Sequence, residues 1–350
     1  MKRVALIGSI GYGESTSSGQ VIRTRILYKA LLDHYGSCGV YMINTSDYSH
    51  HILSIIGRTL FSIFSSDTYI VILSGNGRKV FFPVLRFFKK AFGKNVLNNI
   101  IGGDYASSVR KYPKYIKYSN AFDVNWVQMP SMKIEVEQEG IHNVEVLPNS
   151  KPLVIVSEEL LEMNSQKPFR FCTFSRVSKA KGIELAINAI EEINREVGET
   201  VAELTIYGKP DDDYAQEFKD VMGKTTEAIK YGGIVDYDKA SEELRKYHML
   251  LFPTTFYGEG FPGTIIDAYS SGVPVIASDW KFNPELIESG QTGYIYDHEK
   301  PEELLRCIRM AIENPAAVDT MRKNCIREAK KYTPENVMPI IFTKIDSYRK

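Results

Sequence analysis

Short apolar runs alternate with amphipathic, helix-length stretches along the whole chain. This alternation constrains the fold more than any other feature. In the first half the runs predict strands at about Arg3–Ile7, Gly39–Ile43, Tyr69–Leu73, Val96–Ile101, Val124–Gln128 and Val144–Leu147. The first intervening helix is predicted over Gly19–Tyr35, with Leu27 and Leu31 on one face. Strands separated by helices pair in parallel, with the helices covering the sheet. Pro148-Asn149-Ser150-Lys151-Pro152 interrupts the pattern, and the mixed segment up to Pro168 reads as a connection between domains. The alternation then restarts. Strands are predicted at Phe169–Phe174, Ala202–Tyr207, Ile229–Tyr231, Met249–Phe252, Val273–Ala277 and Tyr294–Tyr296, with a helix near Lys181 to Asn194. A helical tail is broken near Pro315 and Pro334. At 350 residues, two domains are expected. The economical reading is an α/β protein of two βα arrays with a cleft between them.

Composition removes several classes of function. Hydrophobic content of 43% and charge of 25% suit a globular protein with ample core. The formal net charge of zero gives no general attraction to nucleic acid, and none is expected as a partner. Cys38, Cys172, Cys307 and Cys325 are scattered, which points to a reducing compartment and to no cysteine metal site. The opening apolar run, Val4 to Ile7, is too short for a signal-peptide core, and no run is long enough to span a bilayer. A cytoplasmic protein is expected.

Residues 250 to 278 carry the most chemistry. A short buried strand is followed by a polar, glycine-rich loop with one carboxylate, Glu259. Gly260 to Gly263 lead into a helix that carries Asp267, and the next strand follows Ser271-Gly272. In open parallel sheets such strand–loop–helix units place ligands at the carboxyl ends of strands, near helix N-termini. A loop carboxylate there can accept hydrogen bonds from hydroxyls, and the helix N-terminus suits a phosphate. Together they suit a sugar joined to a phosphate.

Two cations, Arg176 and Lys181, follow the first strand of the second half. Cations beside a helix N-terminus are unfavourable unless an anion sits between them, and a diphosphate would do so. A solvated surface pair is the competing reading. In the first half, Gly8, Gly11, Gly13 and Gly19 lie in a long loop after the first strand, a candidate ligand loop whose spacing is not that of a dehydrogenase. Asp104, after a strand end with two glycines, is either a helix cap or a substrate contact. Residues 78–117 hold ten Lys or Arg against one acid, interleaved with phenylalanines, which suggests contact with an anionic membrane surface. The six histidines show no metal-ligand spacing. His50 and His51 are expected in a loop, and His248 is expected to be structural.

These residues together resemble the retaining nucleotide-sugar glycosyltransferases of glycosyltransferase family 4. The resemblance is strong over about residues 169 to 298 and general elsewhere. Arg176, Lys181 and Glu259 stand at the family's positions. Asp267 stands where a second glutamate is usual, so the E-x7-E pattern reads E-x7-D. Residues 146–150, VLPNS, resemble the family's last N-domain strand. The resemblance implies a GT-B fold of two Rossmann-like domains facing each other across a cleft. The domains would be an acceptor-binding one over 1–165 and a donor-binding one over 166–332, with a C-terminal helix in 333–350 packing back on the first.

The resemblance also implies roles. Arg176 and Lys181 would stabilise the departing diphosphate, and Glu259 would hold sugar hydroxyls. Gly260, Phe261, Pro262, Gly263 and Thr264 would line the sugar–phosphate, and Asp267 would reach the ribose. Gly11 and Gly13 would close the donor site, and Gly19, Gln20 and Asp104 would stand on the acceptor side. The expected donor is a nucleotide sugar and the expected acceptor a saccharide or lipid-linked saccharide, in surface polysaccharide assembly, with no metal or other cofactor. Two other functions fit less of the pattern: a non-catalytic sugar-nucleotide-binding subunit, and a sugar-nucleotide epimerase of the same fold.

Overall fold

The computed structural model of the chain describes residues 3–11, 19–161, 166–236 and 239–348. Two compact units divide it: Met1–Pro152 with Tyr332–Lys350, and Leu153–Lys331.

The first unit runs β1 (Arg3–Gly8), α1 (Gly19–Tyr35), β2 (Val40–Asn44), α2 (Tyr48–Ser65), β3 (Ser66–Ile72), α3 (Gly75–Phe92), β4 (Asn95–Asn99), α4 (Tyr105–Lys111), α5 (Lys114–Ser119), β5 (Val124–Val127), α6 (Pro130–Gln138) and β6 (Val144–Val146). Its six strands are parallel, in the order β2-β1-β3-β4-β5-β6. β1 lies between two neighbours, and Val4, Ala5, Leu6 and Ile7 have no solvent exposure. That burial on both faces explains why its sequence is an unbroken apolar run.

The second unit runs β7 (Phe169–Phe174), α7 (Ile183–Val197), β8 (Ala202–Tyr207), α8 (Ala215–Met222), β9 (Ile229–Gly233), α9 (Ala240–Leu244), β10 (Met249–Phe252), α10 (Gly263–Ser270), β11 (Val275–Ser278), α11 (Asn283–Leu286), β12 (Gly293–Tyr296), α12 (Glu302–Glu313) and α13 (Pro315–Ala329). Its parallel sheet has the order β12-β11-β10-β7-β8-β9. α7 buries Ile183, Ala186, Ile187, Ile190 and Ile193 as one stripe at helical spacing. It stops at Gly198, whose φ of 79° lets its N–H return to the Asn194 carbonyl at 2.9 Å.

The last helix, α14 (Pro334–Ser347), belongs to the first unit. Val337, Met338, Ile341 and Ile345 join the cluster of Leu27, Leu31 and Trp126. Each buried aliphatic side chain contributes about 1.5–3 kcal/mol, enough to hold a helix so distant in sequence.

The units divide at 152/153 rather than at the expected 165/166. The reason is local packing: Val156 and Leu161 bury against Ile326, and the Val156 N–H donates to the Ser270 carbonyl at 2.9 Å. β11 begins at Val275, not Val273, because Pro274 has no N–H to give a neighbouring strand. His50 and His51 lie in the first turns of α2, not in a loop. Its short apolar runs do not distinguish helix from strand.

The basic stretch also changes character. Arg78 is buried, and its guanidinium donates to the Leu73 and Ile101 carbonyls at 2.9 and 3.1 Å. Burial lowers its pKa. Lys94 is buried against the Ser66 carbonyl, and Lys89 pairs with Asp123 at 2.7 Å. Phe81, Phe82 and Phe88 are core, so only part of the predicted surface faces solvent.

Candidate active site

In the second unit the direction of strand addition reverses between β7 and β10. One series runs outward from β7 to β9, the other from β10 to β12. Loops leaving adjacent strands at such a point open a crevice at their carboxyl ends. Lys181 lies on the connection after β7, and Glu259 on the connection after β10. Their side chains meet there: Lys181 Nζ donates to Glu259 Oε2 at 2.5 Å. Both side chains are nearly buried, at 9% and 12% exposure. The fully buried Thr254 donates to the same Oε2 at 3.0 Å.

Arg176 completes a line of charge. It is 57% exposed and contacts Asp211 at 3.3 Å. Its Cζ lies 5.4 Å from the centre of the Phe256 ring, and Lys181 Nζ lies 5.0 Å from that same ring. Phe256 is thus a shared apolar contact for the two cations.

Backbone contacts fix this arrangement. The Thr255 N–H donates to the Ala180 carbonyl at 2.8 Å. Gly182 has φ +69°, and a Cβ there would lie 2.2 Å from the Pro253 carbonyl oxygen. Gly208 packs under the Arg176 turn, where a Cβ would lie 1.7 Å from the Ser175 carbonyl oxygen. On the other side, Ser278 Oγ donates to the Thr254 carbonyl at 2.6 Å, and Trp280 Nε1 to the Phe256 carbonyl at 2.9 Å.

Gly260, Phe261 and Pro262 form the entry to α10, and Gly263 and Thr264 are its first residues. Thr264 Oγ1 donates to the Phe174 carbonyl at 2.8 Å, which ties the start of α10 to the end of β7. No side chain caps this helix. Its first-turn N–H groups and positive dipole end form an anion-binding feature beside the cations. Asp267 lies further along α10 and is buried at 7% exposure.

Of the predicted residues of the first unit, Gly11, Gly19 and Gln20 follow β1, at the switch between β1 and β3, and Asp104 follows β4. The Gly11 N–H donates to Ser46 Oγ at 2.7 Å. Gly13 lies outside the described residues. Gly19 opens α1, and a Cβ there would meet nothing, so packing does not demand a glycine. The Gln20 amide donates to the Ile72 carbonyl at 3.0 Å, a tie to the end of β3. Asp104 precedes α4, yet its side chain makes no capping bond.

Thr254, Phe256, Asp211 and Gly182 belong to the site and were not singled out from the sequence. Lys181-Gly182, just before α7, and Thr254-Thr255, just beyond the end of β10, were the available signals. Among the described residues, Asp279, Asp297 and His298 are close enough to share a metal ion. Asp279 is already bonded to the His298 ring at 2.6 Å, and Asp297 to Lys300 at 2.9 Å.

Residues 168–314 match the family described as glycosyl transferases group 1. The second unit is therefore a glycosyltransferase-type domain, and Arg176, Lys181 and Glu259 all fall inside the match. An uncharacterized glycosyltransferase of Methanocaldococcus jannaschii is 24% identical over 251 residues, covering 71% of this chain and 58% of that protein. The GtfA subunit of a UDP-N-acetylglucosamine–peptide N-acetylglucosaminyltransferase of Streptococcus agalactiae is 31% identical over 144 residues, covering 40% of this chain and 27% of that protein. The chain thus spans less than two thirds of either relative. The crystal structure of Anabaena HepE in complex with UDP superposes with a TM-score of 0.75 at 16% identity, covering 99% of this chain and 100% of that one. The architecture is the α/β fold of the GT-B class, with one six-stranded parallel sheet in each unit.

Proposed function

We propose that this chain is a retaining glycosyltransferase of family 4. It moves a sugar from a nucleoside diphosphate to a saccharide or lipid-linked acceptor, in the assembly of a surface polysaccharide at the cytoplasmic face of the membrane. The observation that carries the reading is the pairing of Lys181 with Glu259 at the switch point, with Arg176 across Phe256 and the uncapped start of α10 beside them. The family match over 168–314 supports the same chemistry.

Both contacts to Glu259 fall on Oε2. In this reading Oε1 accepts from a donor-sugar hydroxyl, while the remaining Lys181 protons and the Arg176 fork face the diphosphate. Asp267 reaches the ribose. The bond from the anomeric carbon to phosphate oxygen breaks, and its electron pair stays on the diphosphate, where the preorganised cations stabilise it. The acceptor oxygen attacks from the same face, and its proton passes to the departing phosphate oxygen. No protein base and no metal is needed.

HepE was crystallised with UDP, and the name of GtfA specifies a UDP-sugar. Uridine diphosphate sugars are therefore the first donors to test, beside guanosine and adenosine ones. A donor at 100 times its dissociation constant stabilises by about 2.7 kcal/mol, visible as a thermal shift. The absence of a shift with every donor would sink the donor site. An inverted anomeric centre in the product, read by NMR, would remove the retaining mechanism. The name of GtfA specifies a peptide acceptor. Transfer to peptide alone would replace the saccharide assignment.

A further inference from the structure

The face that α2 turns to solvent is apolar. Tyr48, Ile52, Ile56, Leu60 and Phe64 recur every four residues, with Leu53 and Phe61 alongside. All are exposed, Leu53 at 82% and Phe64 at 83%. The buried residues of α2 are instead Thr59 and Ser62. Ser62 Oγ bonds to the Tyr69 hydroxyl at 3.1 Å, and the Arg58 guanidinium donates to the Met42 carbonyl at 3.1 and 2.7 Å. The helix is held to the sheet by these polar contacts and by the Phe61 ring, 5.6 Å from that of Tyr41, and presents most of its large apolar surface outward. An isolated exposed leucine needs no explanation, but a continuous stripe of seven large side chains does.

α3 is its neighbour. The β2-to-β3 and β3-to-β4 crossovers advance in the same direction along the sheet, so right-handed connections put α2 and α3 on one face. Tyr69 of β3 touches both: its hydroxyl bonds to Ser62, and its ring centre lies 5.7 Å from that of Phe88. α3 exposes Val80, Phe87 and Phe92, together with Lys79 and Lys90. Residues 48–65 and 75–92 contain no Asp or Glu.

We propose that the outer face of α2, flanked by the exposed cations of α3, docks this chain on an anionic phospholipid surface, with α2 lying in the bilayer interface. The helix, about 27 Å long, is long enough to lie across several lipid headgroups. Apolar insertion beside cations without acids is the pattern of an interfacial helix on anionic lipid. A second copy of this chain fits less well, because a two-fold contact would bring the Lys79 and Lys90 faces of both copies together, and neither helix carries an acid to meet them. The proposal extends the membrane part of the function above. It moves the contact from the basic stretch to a different helix, and it uses none of the donor chemistry.

The test is co-sedimentation of the full chain with vesicles of phosphatidylcholine and phosphatidylglycerol. Wild type should pellet with them, and the double variant Leu53→Glu/Phe64→Glu should partition at least about ten-fold less. Both positions are largely exposed, so the fold should survive, which circular dichroism checks. In a separate variant, Leu53→Trp, vesicles should shift the tryptophan emission to the blue. Wild type that stays in the supernatant, or a double variant that pellets as wild type does, would overturn the proposal. So would a wild-type dimer, seen by light scattering, that the double variant dissociates. Donor binding is read on the same preparations by thermal shift, so failure of the catalytic reading appears there and failure of the docking reading appears in the pellet.

Discussion

Lys181 and Glu259, 78 residues apart in sequence, form a 2.5 Å ion pair nearly shielded from solvent at the reversal point of the second sheet. Thr254, from the same connection as Glu259, binds the same carboxylate oxygen, so the loops after β7 and β10 converge on one atom. A buried pair of this kind is costly to break by removing one partner.

Lys181→Met should therefore do two things at once. It leaves the Glu259 carboxylate without its cation, which should cost about 3 kcal/mol of stability. It should also lower turnover about 100-fold or more, since a preorganised cation at the leaving group is lost. Adding Glu259→Gln should restore much of the stability and none of the turnover. Recovery of both would show the pair to be purely structural. Chemical denaturation and a nucleotide-release assay separate the two effects.

Arg176 offers a cleaner test because it is more than half exposed and its partner Asp211 is only 3.3 Å away at the surface. Surface pairs contribute little to folding, so Arg176→Ala should change stability by less than about 0.5 kcal/mol. Turnover should still fall by about ten-fold or more if the guanidinium faces the diphosphate. Unchanged turnover would remove Arg176 from the mechanism.

Gly182→Ala should be more damaging than its size suggests. The new Cβ would lie 2.2 Å from the Pro253 oxygen, at a φ that disfavours side chains. A loss of about 2 kcal/mol or more, with weaker donor binding, is expected. Gly19→Ala is the internal comparison, since a Cβ there meets nothing, and its melting temperature should match wild type. Equal behaviour of the two variants would contradict the packing account.

His248 should make folding sensitive to mild acid. It is buried, accepts a hydrogen bond from the Arg170 N–H at 2.8 Å, and stacks near Phe169. Burial first, then the charges of Arg170 and Arg322, pull its pKa down to about 4 from 6.5. The unfolded chain thus binds a proton that the folded chain refuses. The contribution is complete above about pH 6.5 and is lost as pH falls towards 4, reaching about 3 kcal/mol. Melting temperatures between pH 7.5 and 5 should fall more steeply for wild type than for His248→Gln. Parallel slopes would assign the acid sensitivity to other groups.

The sheets were readable in the sequence because strands leave short windows rich in apolar and β-branched residues between helix-length stretches. Met249–Phe252, buried throughout, is an unbroken apolar run, whereas Phe169–Phe174 and Ala202–Tyr207 carry polar residues at their less buried positions. α2 was not readable. Its apolar residues face outward, so they encode a surface and not a core. Nor was the fate of Arg78 and Lys94 readable, because a count of charges does not say which cations end on backbone carbonyls.

The sequence by itself determined that two βα arrays form, and that Arg176, Lys181 and Glu259 stand at loop positions after strands. Those features depend on local periodicity and on residue type. Only the tertiary structure decided that β10 lies beside β7, against the order of the chain. That pairing brings the two loops together and makes Lys181 the partner of Glu259. It also places Thr254 and Phe256 between residues that the sequence separates. The physical reason is that strand order is settled by non-local packing of whole sheets and helices, which no short window of residues contains.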